Sequence, residues 1–97
     1  DLAQYKPAAS VVVCRRGGAT ATFDRLNKYF TILNMPVVPS QYWNSVHGRN
    51  PGEALQDAEG LQTMRTLGHN MAWMLRNLRN SNVPSETEKR IHTNFIR

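Results

Sequence analysis

The stretch Ala8-Ala9-Ser10-Val11-Val12-Val13-Cys14-Arg15-Arg16-Gly17-Gly18-Ala19-Thr20 decides how the chain is read. Small and β-branched residues stop abruptly at two arginines and two glycines, and an amphipathic segment follows. Residues 8–14 are apolar or small on both faces instead of alternating, the pattern of a strand covered above and below, as in a parallel sheet. Period alone does not separate such a run from a buried helix. Pro7 before it and Gly17-Gly18 after it favour a strand of this length. The order is then strand, loop, helix, and ligands of open parallel sheets sit at the carboxyl ends of the strands. Glycines let backbone approach a flat or charged ligand closely, and Thr20 is placed to cap the helix. Residues 15–20 are the candidate ligand loop.

Outward from that loop, Phe23, Leu26, Phe30 and Leu33 fall three, four and three apart. This spacing puts them on one face of a helix over 20–33. Asn34 is a natural stop, with Pro36 beyond it. Residues 35–39, Met-Pro-Val-Val-Pro, read as a second short strand. Its two prolines place it at an edge, because proline donates nothing to the ladder. Strand, helix, strand of these lengths is a βαβ unit. Residues 1–7 form a lead-in loop.

Residues 40–57 read as a long polar loop that leaves a strand's carboxyl end and so shares the rim with residues 15–20. Loops longer than about 12 residues without structure of their own are usually functional or disordered. Tyr42, Trp43 and His47 argue for function. A helix over 58–79 carries Leu61, Met64, Leu67, Met71, Met74, Leu75 and Leu78 as one apolar stripe, with Trp73 on the opposite side. Glu53, Asp57 and Glu59 bias negative charge toward its N-terminus. Residues 81–97 form a tail. Within it, Ser85 with Glu88 matches a capping box, and Ile91 with Phe95 gives an apolar edge, so a short helix is one reading.

Ninety-seven residues make one small domain at most, with a modest core. The net charge of +5 and pI near 10.0 favour a phosphorylated ligand or nucleic acid. The arginines are scattered, however, and no nucleic-acid motif appears, so a nucleic-acid partner is not expected. No apolar run approaches the roughly 18 residues that span a bilayer, and no stretch reads as a secretory or transit signal, so no membrane partner is expected. A single cysteine, Cys14, fits a reducing, cytoplasmic setting and reads as an inert thiol. His69 and His92 have no partners at metal-ligand spacing, so no metal site is expected. Two parallel strands with two helices cannot cover both sheet faces, and the inner edge of strand 8–14 lacks a partner. Residues 1–80 therefore read as half of an α/β domain.

Lys6-Pro7-Ala8-Ala9 into Val11-Val12-Val13 and Arg15-Arg16-Gly17-Gly18 are followed in order by three further segments. These are Tyr42-Trp43-Asn44-Ser45-Val46-His47-Gly48, Pro51-Gly52-Glu53, and the run from Gln56-Asp57-Ala58-Glu59-Gly60 through Leu61-Gln62-Thr63-Met64-Arg65-Thr66-Leu67-Gly68 to Asn70-Met71-Ala72-Trp73. Over Lys6 to about Leu78 this resembles the C-terminal half of the flavodoxin-like NAD(P)H-dependent FMN reductases, a group related to iron–sulfur flavoproteins and quinone reductases. The resemblance implies a parallel sheet of which this chain supplies the C-terminal βαβα portion. It implies FMN at the rim, NAD(P)H as hydride donor and a small-molecule electron acceptor. It also implies that Arg15, Arg16, Gly17, Gly18, Ala19 and Thr20 run along the isoalloxazine, with the loop from Tyr42 to Gly48 near the flavin or a neighbouring subunit. The FMN phosphate loop of that family has no counterpart in these residues. The implied partner is therefore an N-terminal half of the same protein or a second copy in a homo-oligomer, and the chain alone is not expected to be active.

Gly17 and Gly18 are candidates to present N–H groups to the flavin's pyrimidine oxygens, which gain charge on reduction. Arg15 or Arg16 is a candidate partner for the reduced flavin or the dinucleotide phosphates. His47 reads either as a proton donor or as a loop-orienting hydrogen-bonder. Tyr42 and Trp43 read either as ring-stacking groups or as loop anchors. The alternative from another class is a non-catalytic basic interaction module that uses its basic face and Trp73 for a protein or nucleic-acid partner.

Overall fold

A computed structural model describes residues 2–85 and 88–94. The elements are β1 (Val12–Cys14), α1 (Ala19–Ile32), β2 (Ser45–His47), a 3₁₀ helix (Glu53–Gln56) and α2 (Ala58–Leu78). β1 and β2 form a two-stranded parallel sheet with Val12, Val13 and Cys14 opposite Ser45, Val46 and His47. The architecture is mixed α/β.

The strand pattern differs from the one expected. Residues 8–14 do not form one continuous strand, and 35–39 contributes only a lone parallel bridge, Val37 to Ala8. The Ala8 N–H donates to the Pro36 carbonyl and the Val38 N–H donates to the Ala8 carbonyl, both at 2.9 Å. Among the described residues no further ladder bond follows Val38 on this side. Between the bridge and the pair Val12–Ser45 the first segment advances four residues and the second eight. The surplus bulges out, and Asn44 fills the gap. Its Nδ2 donates to the Ser10 carbonyl at 3.1 Å, Ser40 Oγ donates to its Oδ1, and its own carbonyl accepts the Val12 N–H at 2.9 Å. The regular partner of β1 therefore lies at 45–47, inside the segment that the sequence presents as a loop.

α1 starts one residue earlier than expected. Gly18 is the N-cap at φ 89° with no side-chain cap, so Thr20 sits inside the first turn and caps nothing. Glycine adopts this left-handed conformation without the penalty a Cβ would bring. Thr22 Oγ1 instead donates back to the Gly18 carbonyl at 2.9 Å. At the other end Asn34 takes φ 60°. Its N–H reaches the Thr31 carbonyl and the Met35 N–H reaches the Phe30 carbonyl, at 3.1 and 3.0 Å. This pair of bonds is a Schellman motif closing the helix.

α2 docks through Gly60, Thr63 and Leu67, its buried residues. Polar neighbours on the same side tie it to the bulge. Asn70 Nδ2 donates to the Pro39 carbonyl at 2.8 Å, Thr66 Oγ1 to Gln41 Oε1 at 2.8 Å, and Gln41 Nε2 to Gln62 Oε1 at 2.9 Å. The bulge leaves carbonyls outside the ladder, and such groups recruit donors. The contact is consequently rotated away from the apolar stripe, leaving Leu75 and Leu78 exposed.

Ala8, Ala19, Val38, Val46 and Leu67 make the apolar core, joined by buried Ser10, Asn44 and Thr63. Cover on both sheet faces is not achieved: Val11 and Val13, on one face of the first strand, are 48% and 61% exposed. Among the described residues β1 has one neighbouring strand. The radius of gyration is 17.1 Å, against about 12.5 Å for a compact domain of this length. Residues 82–85 and 88–94 carry no regular structure. The short helix considered for the tail does not form across 88–94, where Ile91 is exposed and has no apolar face to bury against. Phe95 and the rest of that reading lie outside the described residues. No helix among the described residues is long and apolar enough to cross a membrane.

Candidate ligand cleft

The parallel register brings the carboxyl ends of β1 and β2 side by side, Cys14 opposite His47. The Gly48 N–H donates to the Cys14 carbonyl at 3.1 Å, so both chains leave the sheet at one level. From there Arg15 to Gly18 turns into α1. Its wall and the end of β2 enclose an open cleft of 390 Å³ lined by Arg16, Gly17, Gly18, Ala19, Thr20, Ala21, Tyr42, Ser45 and His47. Residues far apart in sequence thus converge on one rim. Arg15 is exposed and does not line the cleft, and neither does the half-buried thiol of Cys14.

A Cβ at Gly17 or Gly18 would meet nothing within 4 Å, so the loop backbone borders open space. Because the Gly18 N-cap supplies no side-chain acceptor, the first N–H groups of α1 have no side-chain cap. With the positive end of the helix dipole and Arg16, they make this wall favourable for an electron-rich, oxygen-bearing group. Tyr42, Ser45 and His47 complete the lining. Tyr42 stacks on Trp43 with centroids 5.5 Å apart, and Trp43 lies 6.1 Å from Phe23 of α1. Trp43 therefore anchors the loop, while Tyr42 reaches the cleft.

His47 and Tyr42 also border a second cleft of 240 Å³, shared with Ser45, Asp57, Glu59, Gly60 and Thr63. Here lies a group that sequence reasoning placed only as helix-end charge. Asp57 Oδ1 accepts the Gly60 N–H at 2.9 Å, and Oδ2 accepts the His47 N–H at 2.8 Å. Oδ2 is also 3.6 Å from His47 Nδ1. The Gly60 N–H foremost, then the His47 N–H and the nearby imidazole, hold the Asp57 carboxyl below its ordinary value of 3.8. A helix cap at Asp57 is readable from sequence, but its reach to His47 across ten residues carries no local signal.

A larger hollow of 580 Å³ runs along α1 between Asp24 and Ile32. A single helix lines it, with Asp24 beside Arg25 and Lys28, so no groups from separate elements converge there. Among the described residues no three His, Cys, Asp or Glu side chains gather as a metal-binding group. Comparison with profiles of known protein families, with curated proteins and with solved structures finds no match for this chain.

Proposed function

We propose that the chain is a component of an FMN-dependent NAD(P)H oxidoreductase of the flavin or quinone reductase type, supplying the wall that faces the isoalloxazine. The observation that carries this reading is the convergence of Arg16–Thr20 with Tyr42 and His47 at the carboxyl end of two parallel strands, where open α/β sheets bind ligands. A volume of 390 Å³ suits a planar ring system, and the unobstructed backbone at Gly17 and Gly18 lets a ring edge approach its N–H groups.

When bound, FMN supplies the hydride-accepting chemistry between NAD(P)H and a small-molecule electron acceptor. The residues of this chain bind and orient it. Gly17 and Gly18 offer N–H groups to ring oxygens, and Arg16 offsets negative charge there. Tyr42 flanks the ring, and His47 presents its imidazole at the rim. Arg15, away from the cleft, stays a solvated cation. The half-open Val11 and Val13 and, among the described residues, the single neighbour of β1 support completion by a second polypeptide, an N-terminal half or another copy of the chain.

Titration of the ¹⁵N-labelled chain with riboflavin and with FMN tests this. Amide signals of Gly17 to Ala21 and of His47 are expected to move with both ligands at similar affinity, because this wall faces the ring and not the phosphate. No movement at millimolar flavin, or salt-sensitive shifts along Arg65–Arg79 with RNA instead, overturns the reading.

A further inference from the structure

His47 stands at the end of β2 with its side chain 49% exposed. An imidazole so placed would sample several rotamers, each presenting a different atom to the cleft. The Asp57 carboxylate lies against one side of this ring. We propose that Asp57 is a positioning residue that fixes His47 in the cleft wall and joins that wall rigidly to the N-terminus of α2.

The geometry has three parts. Asp57 is itself held, because Oδ1 takes the Gly60 N–H at 2.9 Å and Oδ2 takes the His47 N–H at 2.8 Å. Gly60 makes room for it: a Cβ there would lie 2.5 Å from Oδ2 and 2.8 Å from Cγ. Finally, Oδ2 sits 3.6 Å from Nδ1, a contact that is too long for a hydrogen bond. The carboxylate thus claims the Nδ1 side of the ring and leaves Nε2 as the nitrogen available to a ligand. Arg16 and Tyr42 border the cleft around this ring, and Glu59 borders the cleft on the Asp57 side.

Both Asp57 oxygens act as acceptors for backbone N–H groups. An asparagine would turn an NH₂ toward one of them, so it satisfies a single bond of the two. Serine at this position caps the helix about as well as aspartate and has no second oxygen for His47. The lowered pKa of Asp57 agrees with a carboxylate that stays charged while it performs this task.

The role of His47 toward flavin rests on the function proposed above, whereas its positioning by Asp57 does not. The test therefore separates them. In the unliganded full chain, Asp57→Ser and Asp57→Asn are compared with the parent by amide exchange and by the ring ¹⁵N signals of His47. Asp57→Ser is expected to speed exchange at the His47 amide by at least about tenfold, the loss of one charge-assisted bond, while protection at Gly60 persists. The two ring nitrogens should then shift toward the pattern of a free imidazole. Asp57→Asn should show the same direction at a smaller size. Unchanged ring signals and unchanged His47 exchange in Asp57→Ser overturn the proposal, and equal loss of protection at His47 and Gly60 reduces Asp57 to a helix cap and overturns it as well. FMN added to the parent chain then reads the flavin assignment independently, through its effect on the same ring signals.

Discussion

Replacement of Asn44 by alanine is the sharpest probe of how this chain builds its rim. Asn44 is 2% exposed and holds the bulged segment to the first strand through Nδ2 to the Ser10 carbonyl and through Oδ1 from Ser40 Oγ. Truncation removes both bonds and leaves the buried Ser10 carbonyl without that donor, a loss of about 1–3 kcal/mol. The emptied volume brings the total to about 3 kcal/mol. A domain of this size has about 5–15 kcal/mol of stability, and each kcal/mol moves its melting midpoint by about 4–8 °C. A fall of roughly 12–24 °C follows, read by circular dichroism and, at the rim itself, by Trp43 fluorescence. Asn44→Asp keeps the shape but sets a carboxylate oxygen against a carbonyl, so its deficit should grow as pH rises and the acid ionises. If residues 40–44 were an ordinary surface loop, alanine would cost no more than about 0.5 kcal/mol. A midpoint shift within about 2–4 °C, the size of that surface effect, refutes the clamp and with it the bulge that carries Tyr42 to the cleft.

Two further outcomes follow from the site. Arg16→Ala should weaken flavin binding by about tenfold or more, the value of one charge-assisted contact, whereas Arg15→Ala should change it less than about twofold; equilibrium titration of the two variants decides between them. Acid dependence tests Asp57. Its pKa in the folded chain lies below the ordinary 3.8, so the unfolded chain takes up the proton first as pH falls. Its contribution is complete above the ordinary value and disappears as pH drops through the depressed one. The stability gap between the parent and Asp57→Asn should therefore narrow between about pH 5 and pH 2, measured as urea midpoints at each pH.

The helices are legible in the sequence because their determinants are local. The three-four-three spacing of Phe23 to Leu33 lies on α1, and Asn34 at φ 60° closes that helix. The second strand is hidden because its determinants are not local. One bridge stops at Val37, and a buried asparagine begins the next ladder, inside a segment whose polar composition resembles a loop. Ser10 and Asn44 are core residues only because distant partners satisfy them, whereas Thr63 bonds within α2 to the Glu59 carbonyl; Thr66 and Asn70 tie α2 to residues 39–41 in the same non-local way. The bond from Asp57 to His47 is invisible on the same ground.

One apparent misfit points the other way. A run such as Ala8 to Cys14 predicts cover on both faces of its sheet, and this chain leaves Val11 and Val13 half-open beside a strand with a single neighbour. The same incompleteness appears at the cleft, where Arg16, Tyr42 and His47 gather from two sides with an open mouth between them. Both gaps adjoin the first strand and the loop that leaves it. A strand pairing with the free edge of β1 would lie in the plane of the sheet and extend the rim, whereas cover for Val11 and Val13 has to come from a layer packed on the face, because strand side chains project from the sheet plane.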